Sequence, residues 1–133
     1  MVEMGQEFAA SEYREKLDYS PEAVKELLGF LIVNSDALFL VAEKSAVLIG
    51  MMGVLAHPHP ISGKRVAMEV FWWVDPEHRG SAGIRVLNAA KEWARDQKVT
   101  SLFMIAPSER IEKLYERLGL QRVEVHYQLK LEE

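Results

Sequence analysis

One stretch near the middle of the chain restricts the fold more than any other. Val66-Ala67-Met68-Glu69-Val70-Phe71-Trp72-Trp73-Val74 is apolar except for a single acid, and Asp75-Pro76 stops it. Its β-branched and aromatic content predicts a strand. Glu77-His78-Arg79-Gly80-Ser81-Ala82-Gly83 follows, and then Ile84, Leu87, Ala90 and Ala94 fall on one side of a helix. A strand feeding a helix through a loop of small residues predicts a crossover through Ser81 to Asp96, with a parallel strand beyond it. Such a loop aims several backbone amides and the positive end of a helix at one point, which suits a phosphate or pyrophosphate. A glycine-containing turn before a helix is more often only a turn. This one matches neither a Walker loop nor the three-glycine dinucleotide fingerprint.

The flanking segments complete a mixed pattern. Ser11 to Leu17 predicts a weak first helix. Ser20-Pro21-Glu22 predicts a second, with Ser20 as cap and Val24, Leu27, Leu28 and Leu31 as its apolar face. Ala37 to Ala42 and Val47 to Leu55 are apolar runs on either side of Glu43-Lys44-Ser45, predicting an antiparallel hairpin. Gly50 and Gly53 argue against a buried helix in the second run. His57 to Arg65 reads as a loop and Ser101 to Ala106 as a strand. Pro107-Ser108 opens a helix carrying Ile111, Leu114, Tyr115 and Leu118, with Gly119 as its stop. Alternation of Val123, Val125, Tyr127, Leu129 and Leu131 predicts a last strand from Arg122 to Leu131. The expectation is a single domain over residues 1–133, a mixed α/β fold whose central, mostly antiparallel sheet is flanked by helices.

Composition narrows the function classes. With 16 basic and 20 acidic residues the net charge is −4, and the basic residues are scattered among acids, which argues against broad binding to nucleic acid or anionic membrane. The absence of cysteine removes disulfides, thiolate metal sites and a cysteine nucleophile. The longest apolar run, Ala46 to Ala56, is shorter than the about 18 residues of a membrane-spanning helix. Glu3 and Glu7 stand where a signal peptide would be basic. The expected location is the cytoplasm. His57 and His59 lack companions at ligand spacing, so no metal is expected, and Ser81 sits in no nucleophile elbow, which sets hydrolase chemistry aside.

Val74-Asp75-Pro76-Glu77-His78-Arg79-Gly80-Ser81-Ala82-Gly83-Ile84, followed by Leu87, resembles the acetyl-CoA loop of the GNAT superfamily of N-acetyltransferases. Tyr115-Glu116-Arg117-Leu118-Gly119-Leu120 resembles the segment found in that superfamily's next helix, at the expected spacing. The resemblance runs from about Phe39 to Leu131. The wording from Glu69 to Gly80 is also similar to small members encoded by phages and prophages.

The resemblance implies acetyl-CoA as co-substrate and transfer of its acetyl group to a primary amine by direct attack. Arg79 and Gly80 would begin the pyrophosphate loop, with Ser81, Ala82, Gly83 and Ile84 supplying amides to the phosphates. Backbone groups of Trp73 and Val74 would pair with the pantetheine arm, and a strand amide near Val74 would hold the oxyanion. Ala82 and Ile84 depart from the family's pattern of small residues, which leaves the register of the phosphate contacts open. Tyr115 stands where many members keep a tyrosine near the CoA sulfur, as an acid for the departing thiolate. It could equally be an aromatic at the edge of the core. Glu69 is the candidate general base, because an acid within an apolar strand is costly unless paired, near water or functional, and partial burial would raise its pKa. A solvent-facing Glu69, or one paired with Arg65 or Lys64, is the alternative, and an ordered water could serve as base instead. One of Trp72 and Trp73 could line an acceptor pocket. The acceptor itself is not readable. A homodimer through the apolar positions of the last strand is compatible with the pattern. Two further readings stay open, a catalytically silent CoA-binding protein acting through a partner and a cofactor-free interaction protein.

Overall fold

The computed structural model describes residues 20–131 with the exception of Arg79. The helix expected over Ser11 to Leu17 lies outside the described residues. Helix α1, Pro21–Val33, begins where Ser20 accepts a hydrogen bond from the Ala23 amide at 3.2 Å, and it buries Leu28 and Leu31. Strands β1, Ala37–Lys44, and β2, Val47–Pro58, form the expected hairpin. Their two-residue turn, Ser45-Ala46, has φ of 53° and 65°, the positive pair that matches the twist of the strands it joins. Strand β2 runs past the expected Leu55 to Pro58, and β3, Arg65–Val74, pairs antiparallel beside it.

After β3 a short 3₁₀ turn, Pro76–His78, leads to helix α2, Ser81–Asp96. Strand β4, Leu102–Phe103, then pairs parallel to β3, so α2 is the expected crossover and the sheet order is β1-β2-β3-β4. Helix α3, Glu109–Arg117, is capped by Ser108, whose side chain accepts from the Ile111 amide. Its end is a Schellman motif: Gly119 has φ of 89°, its amide donates to the Glu116 carbonyl, and the Leu120 amide donates to that of Tyr115. None of the helices is long and apolar enough to cross a membrane among the described residues.

The sheet buries both faces. Met52, Val54 and Ala67 pack with Val86 and Ala90 of α2 on one face. On the other, Met51 and Trp73 pack with Phe39, Leu48 and Phe71. A Cβ built on Gly53 would come within 2.8 Å of both Leu31 and Phe71, so the absent side chain is what lets α1 sit on this second face.

Two strand expectations are corrected. The Ser101–Ala106 strand is reduced to Leu102–Phe103, because β3 and β4 separate after the Met68–Phe103 pair. The Arg122–Leu131 strand is not formed. Residues 121–131 have no regular structure and are exposed. Their alternation is the pattern of a strand, but a strand also needs a neighbour to take its hydrogen bonds, and among the described residues none lies beside this segment.

Candidate active site

The site begins with an irregularity in β3. Val54 pairs with Glu69 and Gly53 pairs with Phe71, so Val70 is an extra residue without an opposite number. Side chains alternate between faces along a strand, and this bulge shifts the alternation by one. Ala67, and with it Glu69, therefore shares a face with Trp72, while Phe71 and Trp73 turn to the other.

Where β3 and β4 separate, Ile105 has left the β ladder. The Glu69 carboxylate accepts its amide at 3.2 Å, and its carbonyl accepts the Tyr115 hydroxyl at 2.9 Å. Glu69 and Tyr115, each only 6% exposed, thus grip the two polar groups of one residue. Glu69 is buried and does not face solvent, and the Arg65 guanidinium reaches Asp36 at 2.8 Å and Gln97 at 2.7 Å. Tyr115 is buried, and its hydroxyl meets the Ile105 carbonyl rather than open solvent. Its ring stacks on Trp72 with centroids 6.3 Å apart and planes 8° from parallel. The Trp72 indole N–H is buried without an acceptor among the described residues.

These groups line one cavity of about 170 Å³. Trp73 and Val74 form one wall, Gly80, Gly83 and Ile84 another, and Ile105, Pro107, Ile111 and Leu114 a third, with Arg110 at its edge. The wall from α2 ends at the N-terminus of that helix. Its cap, Gly80, has φ of 103° and ψ of −110°, a conformation that side chains oppose, and it makes no side-chain cap. The first backbone bond of the helix is Ile84 to Gly80 at 3.0 Å, so the amides of Ser81, Ala82 and Gly83 precede any intrahelical acceptor. No acid stands in the first turn. Small residues, amides without helical partners and the positive helix end together fit the pyrophosphate of acetyl-CoA.

Of the residues singled out in the sequence, Glu69, Tyr115, Trp73, Val74, Gly80, Gly83 and Ile84 line this cavity together. Ser81 and Ala82 lie in the adjoining first turn without lining it, and Arg79 is outside the described residues. His57 and His59 do not join them. The His59 ring instead accepts the amides of Ile61 and Ser62 within its own turn. Sequence reasoning missed Ile105, Arg110 and the apolar wall from α3. Ile105 contributes through its backbone, which no residue type announces, whereas Ile111 and Leu114 carried the helical spacing of a buried face.

The model of the acetyltransferase (GNAT) family matches residues 2–120. The fold is similar to that of a predicted acetyltransferase from Clostridium acetobutylicum solved with acetyl-CoA, at 16% identity and a TM-score of 0.80, covering 98% of this chain and 87% of that one. It is also similar to a ribosomal-protein-alanine N-acetyltransferase from Brucella melitensis, at 21% identity and a TM-score of 0.69, covering 98% and 94%. An aminoglycoside 6′-N-acetyltransferase from Acinetobacter haemolyticus matches at 20% identity and a TM-score of 0.69, covering 91% and 89%. No curated protein matches significantly. With the family model spanning nearly the whole chain, and the sheet, crossover helix and cavity arranged as described, the protein belongs to the GNAT family of acetyltransferases.

Proposed function

We propose that this chain is a single-domain, cytoplasmic N-acetyltransferase that transfers the acetyl group of acetyl-CoA to a primary amine by direct attack. The observation that carries the reading is the joint hold of Glu69 and Tyr115 on Ile105, inside a cavity that ends at the N-terminus of α2. Acetyl-CoA supplies an activated acyl carbon and a thiolate leaving group. The chain's own residues then have three tasks.

Glu69 takes a proton from the acceptor's ammonium, since a protonated nitrogen has no lone pair with which to attack. The Tyr115 hydroxyl gives a proton to the departing sulfur and regains one from the nitrogen that has acylated, so the tyrosine ends as it began. Its O–H points at the Ile105 carbonyl, and a rotation about the Cζ–O bond redirects the proton while the oxygen stays in place. The apolar walls from β3 and α3 exclude water, which strengthens every charge interaction within. Gly80 to Gly83 receive the pyrophosphate. The acceptor class supported by the family is a small molecule or a protein amine, with neither nucleic acid nor membrane as partner.

Calorimetric titration with acetyl-CoA, and separately with CoA, tests the binding half of this reading. Saturable one-site binding is expected, and no binding at millimolar ligand would contradict it. One observation favours a second reading, a CoA-binding protein without catalysis that acts through a partner: Ile84, bulkier than the small residue of the family's pattern, lines the cavity beside Gly83. Turnover of any amine by the wild-type protein would exclude it.

A further inference from the structure

Proton donation by Tyr115 sets a requirement that its hydrogen bond does not meet. The hydroxyl is anchored while it donates to the Ile105 carbonyl at 2.9 Å. When it turns about the Cζ–O bond to face a sulfur, that donation ends, and the oxygen must keep its place just as the proton leaves it. The Trp72 ring is set to hold it. The two rings stack with centroids 6.3 Å apart and planes 8° from parallel, within the range of favourable aromatic pairs, and this contact does not depend on where the hydroxyl proton points.

Trp72 is itself braced. Its backbone pairs opposite Met52 in the β2–β3 ladder. Its side chain packs against the buried cluster around Met52, Val54 and Val86, which the sheet shares with α2. Its ring edge faces the first turn of α2 at Gly83, where a Cβ would stand 3.6 Å from Cζ2. The indole N–H is buried without an acceptor among the described residues. A buried donor left unpaired is unfavourable, so hydrogen bonding does not account for a tryptophan here, whereas its broad flat ring does. On the reading of Tyr115 as the acid, we infer that Trp72 is a positioning residue for acyl transfer. Its ring, wedged between the start of α2 and Tyr115, fixes the Tyr115 oxygen through the step in which the proton passes to the departing sulfur. The Val70 bulge is what makes this possible, since it turns Trp72 to the face that α2 covers.

A double-mutant cycle in the full chain separates this role from plain packing. The quantity measured is kcat for amine-dependent release of CoA thiol in wild type, Trp72→Leu, Tyr115→Phe and the double variant, at saturating acetyl-CoA and amine. With Tyr115 present, Trp72→Leu is expected to lower kcat about 10- to 10²-fold, the scale of a misplaced reacting group. In the Tyr115→Phe background no hydroxyl is left to position, and the same change should cost less than about twofold. Trp72→Phe keeps a smaller flat face and should fall between wild type and Trp72→Leu. If Trp72→Leu does not fold, Trp72→Phe carries the cycle, with a loss of about threefold that disappears in the Tyr115→Phe background. Crystal structures are expected to show the Tyr115 ring displaced from the Ile105 carbonyl in the Trp72 variants, a readout that stands even for a wild type that turns over no amine. An equal loss in both backgrounds, or a Tyr115 ring that keeps its place in the Trp72 variants, would overturn the positioning role. Full kcat in Tyr115→Phe alone would instead remove Tyr115 as the acid, a result the cycle distinguishes from the other two.

Discussion

Glu69 and Tyr115 can be separated experimentally because each makes a different kind of hydrogen bond to Ile105. In Glu69→Gln the side-chain oxygen can still accept the Ile105 amide, so the fold should be kept while the base is lost. A fall of about 10²–10⁴ in kcat/KM is expected from removing a positioned acid or base, measured with any accepted amine, at unchanged acetyl-CoA affinity. Tyr115→Phe removes the only group described as donating to the Ile105 carbonyl. It should lower unfolding free energy by about 1 kcal/mol in a denaturant titration, as expected for one hydrogen bond, as well as slowing turnover. Gly83 gives a contrasting case. A Cβ there would meet Trp72 at 3.6 Å, an ordinary contact, and alanine is the better helix former. Gly83→Ala is therefore expected to hold or raise stability by up to about 1 kcal/mol, yet to weaken acetyl-CoA binding by crowding the anion wall. Equal affinity in both proteins would remove Gly83 from that wall. At this scale Glu69 was legible, since an acid stands out in an apolar strand. Its partner was not, because the Ile105 amide belongs to another element and carries no side-chain signal.

The helices were legible at their ends. Ser20 and Ser108 cap where their residue types suggested, and Gly119 stops α3 through the left-handed conformation that glycine adopts at little cost. The strands were legible as apolar runs but not in their pairing. Nothing marks Val70 as the bulge, since neither glycine nor proline flags it, yet the bulge is what brings Glu69 onto the face of Trp72. The last apolar alternation was read as a strand because periodicity reports a face and not a neighbour. The β1–β2 turn offers a test at this scale. Ser45 and Ala46 both hold positive φ, where side chains are disfavoured and Asn-Gly is preferred. Replacing the pair with Asn-Gly should stabilise the protein by about 1 kcal/mol, measured as a higher denaturation midpoint with unchanged m-value. No gain would mean that the turn is relaxed by its surroundings.

Taken as a whole, the molecule is a twisted sheet in which β3 does two jobs. Its first half pairs with β4 and closes the core over α2, while its second half, beyond the bulge, leaves β4 and opens a cavity at the start of that helix. Family membership follows from a match over residues 2–120, whereas the proposed activity rests on this local separation. The central claim is that the cavity performs acetyl transfer through Glu69 and Tyr115. Its most direct test is amine-dependent release of CoA thiol from acetyl-CoA across a panel of small amines and peptide N-termini, comparing wild type with Glu69→Gln and Tyr115→Phe. The account predicts release by the wild type with at least one amine, and a loss of about 10²-fold or more in each variant that still binds acetyl-CoA. Release undiminished in both variants, or none by a wild type that binds acetyl-CoA, would contradict it.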